Sequence, residues 1–246
     1  MYKFRFARWF LWIAACAAFI VLIYNMSWWQ AWMGALFPAE QSVVYPTASL
    51  VVLVAEHIRL VAVSSALTVA IGLPLGIWLT RRSGREFLPI VSDLTAFGQT
   101  FPPVAVLALA VPVFGFGLVP TVIALFLYGL LPVVRNTVAG VRSVSPVVIE
   151  VAHGMGMTSS RALMSVEMPL SAPVILAGIR TSVVINVGTA MIGAVIGAGG
   201  LGAPIIAGLV GFNTAYVLEG AIPAALLAIL LDQLIANIEN VFTYPH

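Results

Sequence analysis

The chain has 246 residues, of which 61% are hydrophobic and 8% charged, with a net charge of +2. Soluble domains carry about a quarter of their residues as charges, so an ordinary soluble core is excluded. A membrane-crossing helix uses about 20 apolar residues, and the apolar content here suffices for about six or seven. The apolar residues come in long unbroken runs rather than alternating at period two, which excludes a β-barrel. The fold class read from this is all-α, a polytopic membrane bundle of about six transmembrane helices. No basic stripe with interleaved aromatics exists, so nucleic acid is not a partner. The single cysteine, Cys16, excludes an intrachain disulfide. The single lysine, Lys3, does not follow a glycine, which excludes a Walker A loop. Any ATP used must be hydrolysed by another chain.

In chain order, Lys3, Arg5 and Arg8 precede a charge-free run at 9–24. Ile13-Ala14-Ala15-Cys16 has the look of a lipoprotein cleavage box. Apolar sequence continues to Ile23, however, and the expectation is an uncleaved first helix, a cleaved leader with five spans being the alternative. Trp28, Trp29 and Trp32 then read as an interfacial belt. The second span is predicted at 60–79 and ends in the basic turn Arg81, Arg82 and Arg85. The third, 87–114, is interrupted by Pro102, Pro103 and Pro112 and ends in the turn Gly115-Phe116-Gly117. The fourth is 118–134, a polar stretch follows at 135–168, the fifth is 172–196, a glycine-rich loop fills 197–202, and the sixth is 216–235.

With the N-terminus in the cytoplasm, every basic residue among the 11 falls on or near the inner side except Arg59, as the positive-inside rule asks. Glu56, three residues before Arg59, is a candidate local partner. Both termini are therefore expected in the cytoplasm. The organisation is an N-terminal helix and external segment (1–48), a permease-like core (49–240) and a short tail (241–246).

Residues 150–169 carry the clearest signal. They read as two short amphipathic helices joined at Gly156, a residue tolerant of the left-handed conformation that ends a helix. Thr158 or Ser159 can cap the second helix. Pro169 disfavours helix at Met168 and is expected to start a new segment. A helical hairpin beside a membrane bundle is a docking element.

The spacing Glu, two small residues, three others, glycine, nine others, then aliphatic-x-aliphatic-Pro resembles the EAA loop of ABC importer permeases. Its anchors here are Glu150, Ala152, Gly156, Val166, Met168 and Pro169, with Val151, Val166 and Met168 replacing the family's usual alanine, isoleucine and leucine. The resemblance extends over about 50–240. Gly72-Leu73-Pro74-Leu75-Gly76-Ile77, Gln99-Thr100-Phe101-Pro102-Pro103, the stretch 127–137 and Ile196-Gly197-Ala198-Gly199-Gly200-Leu201-Gly202 look like permeases for glycine betaine, choline and carnitine. Amino-acid, methionine and phosphonate permeases share the last stretch, so another small solute is the alternative.

What the resemblance implies is a type I permease fold in the bacterial cytoplasmic membrane, in contact with membrane lipid. Its partners would be an ABC ATPase dimer seated on the 150–169 loop, a second permease copy or paralogue, and a separate periplasmic or lipid-anchored substrate-binding protein. It implies a chain that is no enzyme, with no catalytic residue, no bound cofactor and no metal of its own, ATP being used by the partner ATPase. The rival classes, a secondary transporter and an intramembrane enzyme, would show an inverted repeat or a Ser-His or aspartate cluster within the spans, and neither is evident.

Polar groups inside spans are costly and often functional. Asn186 lies about 21 Å along the fifth span and Gln99 about 18 Å along the third, both near mid-membrane. With Thr100, Thr189, Phe97 and Phe101 they make the candidate translocation path, and aromatic faces attract quaternary ammonium ions. The alternative for Asn186 and Gln99 is hydrogen bonding between helices. Gly197-x-Gly199-x-x-Gly202 fits a dinucleotide pattern but follows a span rather than a strand, and reads as a tight turn. His57 and His153 have no metal-ligand spacing. Asp93, Glu219 and Asp232 are expected at span ends, snorkelling or capping, with Asp93 free to bridge to a neighbouring span.

Overall fold

The computed structural model describes residues 2–242, with side chains from residue 7 onward. The side chains of Lys3 and Arg5, and the last four residues of the 241–246 tail, lie outside the described residues. The elements are α1 (Tyr2–Tyr24), α2 (Met26–Leu36), α3 (Leu50–Thr80), a 3-10 turn (Arg85–Phe87), α4 (Leu88–Thr100), α5 (Pro103–Phe114), α6 (Leu118–Ser143), α7 (Pro146–Gly154), α8 (Ser159–Ala162), a π turn (Leu163–Glu167), α9 (Met168–Ala190) with a 3-10 extension (Met191–Ile196), α10 (Gly202–Gly211) and α11 (Thr214–Phe242). There is no strand among the described residues. Five helices are long and apolar enough to cross a membrane, and the stretch Arg85–Phe114 supplies a sixth crossing if its two halves, bent by 95°, are taken as one.

The bend follows from Pro102 and Pro103, which remove two successive N–H donors and hold Phe101 extended at ψ 129°. Pro112 does not break α5, contrary to expectation, and Pro74, Pro132, Pro173 and Pro223 also sit inside helices. Membrane helices tolerate proline because neighbouring groups satisfy the freed carbonyls. Two spans outrun their apolar stretches. α3 starts at Leu50 rather than 60, because Leu50, Leu53, Val54 and His57 bury one face. α6 runs past Val134 to Ser143 because Thr137, Val138, Gly140 and Val141 are buried. Helical periodicity carries the chain through a segment whose polar residues point outward. The tryptophan belt is only partly as expected. Trp28 and Trp32 are exposed, but Trp29 is buried and its Nε1 donates to Leu22 O at 3.1 Å.

The bundle is built around α9, packed against α6, α3 and α11. The α6–α9 approach is close enough to need glycine. A Cβ on Gly178 would run into the Asn136 side chain and sit 2.7 Å from Pro132 O, and one on Gly140 would lie 3.0 Å from Ser171 O. Lipid offers no hydrophobic drive for helices to associate, so small residues that bring backbones together carry the packing.

Long-range contacts sort the connections onto two ends. At one end Arg81, just after α3, pairs with Glu167 in the π turn. At the other, Glu56 accepts from Gly200 N at 2.8 Å, and Gly117 N donates to Ile196 O at 2.8 Å. Glu56 is therefore committed to the glycine-rich loop, and no ion pair with Arg59 forms. The segment before α3 straps this end too, since Tyr45 N donates to Glu219 at 2.6 Å and Asn213 Nδ2 to Ser42 O at 2.7 Å. Trp12 Nε1 donates to Leu230 O at 2.9 Å and holds α1 along α11.

The α6–α9 contact is testable. Gly178→Ala is expected to cost about 1–3 kcal/mol by overpacking against backbone, seen as a lower melting temperature in detergent. Gly188→Ala, on the same helix with open space at its Cβ, is expected to be neutral or slightly stabilising.

Candidate functional site

The hairpin between α6 and α9 is assembled locally. Pro146 takes the first position of α7, where a missing N–H costs nothing. At the far end Met157 N donates to Ala152 O at 3.1 Å and Gly156 N to His153 O at 2.9 Å. That crossed pair is a Schellman closure. It requires a left-handed residue, and Gly156 has φ +83°. Open space surrounds its Cβ position, so the demand is on the backbone and not on room. His153 Nδ1 lies 3.0 Å from Met157 O and braces the same turn. Thr158 caps α8, accepting from Arg161 N at 3.4 Å.

Ala152 and Ala162 are the buried small residues where α7 meets α8. Val147, Val151, Met155 and Met164 point outward and are exposed. Glu150 is exposed as well, and lies beyond the first turn of α7. The dipole effect fades within that turn, so Glu150 does not act on the helix start.

The second half of the hairpin is continuous with the membrane span. α8, the π turn and α9 form one apolar helix, Ser159–Ile196. Pro169 was expected to begin a new segment and instead lies in the first turn of α9. The π turn just before it widens the helix where the proline ring would otherwise strike the preceding turn. Val166 and Met168 are half-buried here. Within the π turn Glu167 is 4% exposed and receives Arg81 in a two-pronged contact, Nη1 to Oε1 at 3.0 Å and Nη2 to Oε2 at 2.7 Å. This pair ties the hairpin to the end of α3. Sequence reasoning missed it: its members are 86 residues apart, and nothing local marks either one.

The path residues separate into two groups. Gln99 donates to Tyr128 O at 3.3 Å, Phe97 and Phe101 lie against each other at 5.7 Å between ring centres, Thr100 is exposed, and Phe101, like Ile185 and Ile192, packs against the buried cluster that contains Tyr128. Thr189 is half-buried one turn beyond Ile185. Asn186 is apart from these. It is wholly buried, with Nδ2 3.1 Å from Ser65 Oγ and 3.4 Å from Ser64 Oγ. It joins α9 to α3 inside one protomer.

The remaining polar residues depart from expectation. His57 is fully buried, Nε2 facing Val187 O at 3.0 Å. Glu219 is fully buried and holds Tyr45 N rather than snorkelling. Asp232 pairs with Arg180 of α9. Asp93 is exposed and bridges to no neighbouring span. The described residues contain no cluster fit to hold a metal ion.

The sequence profile of the family described as binding-protein-dependent transport system inner membrane component matches residues 72–242. Among similar proteins, the choline transport system permease protein OpuBB of Bacillus subtilis (strain 168) is 40% identical over 190 residues, 76% of this chain and 86% of that one. The osmoprotectant import permease protein OsmY of Salmonella typhimurium (strain LT2) is 43% identical over 181 residues, 74% of this chain and 77% of that one. Among solved structures, an inward-facing MetNI methionine ABC transporter aligns with 79% of this chain and 96% of the matched chain at a TM-score of 0.69 and 22% identity, a likeness of fold.

The Arg81–Glu167 pair generates a prediction. Arg81→Met strands a buried carboxylate, a loss of about 3–5 kcal/mol when a buried pair is broken on one side, reduced here because the Arg81 side chain is 34% exposed. Arg81→Met/Glu167→Met is expected to recover most of the lost melting temperature. A double variant no better than the single one would mean the pair does not fasten the hairpin.

Proposed function

This chain belongs to the family of binding-protein-dependent transport system inner membrane components, and from that premise we propose that it carries quaternary-amine osmoprotectants, such as glycine betaine or choline, across the cytoplasmic membrane. It is a multi-pass membrane permease subunit of an ABC importer and catalyses no bond chemistry. ATP is hydrolysed by a cytosolic ATPase dimer and solute is delivered by a separate binding protein. A second copy or a similar chain completes the pore.

The observation that carries the coupling half of this reading is the hairpin. Exposed apolar side chains, among them Val147, Val151, Met155 and Met164, stand on the hairpin at the end of the bundle, a surface suited to a protein partner. Glu150, Ala152, Gly156, Val166, Met168 and Pro169 form its frame. The substrate half is supported by the similarity to permeases named for choline and osmoprotectants and by Phe97 and Phe101, whose rings suit a quaternary ammonium. Gln99, Thr100 and Thr189 lie on the same flank. Asn186 serves by holding α9 to α3. Alternating access then follows from ATP binding, which favours one of two bundle states.

Uptake of radiolabelled glycine betaine and choline by the reconstituted complex tests the substrate. Transport of methionine or a phosphonate in place of both would overturn it and leave the family standing. Orientation is tested by labelling single cysteines in a Cys16→Ala background with an impermeant reagent. Position 41 is expected to react from outside and positions 83 and 160 only after permeabilisation.

Gly156→Val forces a branched residue into a left-handed conformation and tilts α8 relative to α7. Insertion is expected to be normal, with substrate-stimulated ATP hydrolysis reduced at least tenfold, about 1.4 kcal/mol of coupling. Glu150→Ala, lacking any backbone demand, is expected to be milder. Wild-type stimulation in Gly156→Val would remove the hairpin from the coupling path.

A further inference from the structure

Arg180 of α9 lies about 18 Å from the start of its helix, and Asp232 about 15 Å from the end of α11, at 1.5 Å per residue. Both lie within helices long and apolar enough to cross a membrane. Asp232 accepts from Arg180 Nε at Oδ1 and from Nη2 at Oδ2, the latter at 2.6 Å. The pair is not sealed, because the side chains are 38% and 32% exposed. An ion pair left one-third open on a membrane-crossing helix is costly against hydrocarbon, and such groups face a bundle interior or a water-filled cavity.

The exposed side opens on a cavity of ≈ 350 Å³ lined by Ala177, Arg180, Thr181, Val184, Ile185 and Asp232. Ile185 also packs in the cluster that holds Phe101 and Tyr128. The cavity therefore adjoins the flank on which Gln99, Phe101 and Thr189 lie, and not the sealed side of Asn186. Thr181 is exposed at its rim, its Oγ1 donating back to Ala177 O at 3.0 Å.

We propose that Arg180 and Asp232 form a charge-reading site on the translocation path, with Asp232 facing the quaternary ammonium of the solute and Arg180 its carboxylate. This rests on the quaternary-amine reading above. A quaternary ammonium has no N–H, so it does not compete with Arg180 for the lone pairs of Asp232 and meets the carboxylate through charge alone. Arg180 commits Nε and one terminal nitrogen to Asp232, and its remaining donors are available for a solute carboxylate. A zwitterion thus aligns head to tail against the pair without breaking it. Choline, lacking a carboxylate, engages only Asp232. The site discriminates by charge pattern after delivery, independently of the affinity of the binding protein.

The experiment uses the complete complex reconstituted with its ATPase and saturating binding protein. Arg180→Gln is expected to lower maximal glycine betaine uptake relative to choline by roughly tenfold, the loss of one charge-assisted contact. Arg180→Lys, which keeps the charge, is expected to retain most of the wild-type ratio. Should Arg180→Gln fail to accumulate because Asp232 is stranded, Arg180→Gln/Asp232→Asn leaves no lone charge and is expected to slow both solutes. An unchanged ratio in Arg180→Gln, or wild-type rates for both solutes in the double variant, would make the pair a structural tie between α9 and α11.

Water access is read separately from transport. Thr181→Cys in a Cys16→Ala background is expected to react with a charged methanethiosulfonate in inverted vesicles. Silence toward that reagent overturns the site whatever solute is carried. If labelling succeeds while neither amine is transported, the quaternary-amine reading fails, and the assignment of Asp232 to an ammonium fails with it.

Discussion

The structure depends on how near α9 can come to α6. Where Gly178 faces Pro132 and Asn136 there is no space for a methyl group, and where Gly140 faces Ser171 one would be tightly pressed. That approach brings Asn186 within reach of Ser64 and Ser65 on α3 and leaves the adjacent face of α9 to Ile185, set against the cluster of Tyr128. One face of α9 is thereby an interior joint and the next is a wall. In lipid this division has to be made by close packing and polar pairing, since apolar burial does not distinguish a neighbouring helix from an acyl chain.

What was legible in the sequence follows the same physics. The number of spans, the order of turns and the hairpin at 150–169 are encoded over short distances: apolar run length, the arginines after α3, and the position of Gly156 relative to Ala152. Helix ends were misjudged where composition and periodicity disagree. Arg135 and Arg142 make 135–143 look polar, yet Thr137, Val138 and Val141 on the other face keep it helical and buried. Pro169 reads locally as a boundary, and only the preceding π turn lets the helix pass it. The path residues were grouped by depth, which is readable, but not by face. Helical depth is nearly the same for Ile185 and Asn186, whereas one residue of rotation separates an exposed flank from a sealed joint.

The ion pairs lay beyond the reach of sequence. Arg81 and Glu167 are 86 residues apart, and Arg180 and Asp232 are 52 apart. Each member alone reads as a cytoplasmic flank or a snorkelling end, and its partner is chosen by the bundle. The same holds for Glu56 and Glu219, which are spent on the backbone of Gly200 and Tyr45. In each case a carboxylate that composition assigns to an interface instead fixes one segment against another.

These fastenings determine how a push on the hairpin reaches the membrane. The second half of the hairpin is continuous with α9 through the π turn, and the same turn is held to α3 by Glu167 and Arg81. α3 and α9 are joined again deeper in by Asn186 and its serines. Two separated attachments between the same helices resist their rotation against each other, so a displacement at Gly156 cannot be absorbed locally and moves α3 and α9 as a unit. The bent pair α4 and α5 shares neither attachment. It packs chiefly against α6, with Phe101 and Ile185 both set against the cluster that contains Tyr128. If the hairpin receives the ATPase as proposed above, the surface that changes between inward-open and outward-open states is the one that carries Gln99 and Phe101, and the energy of docking is delivered beside the solute rather than dissipated in the scaffold.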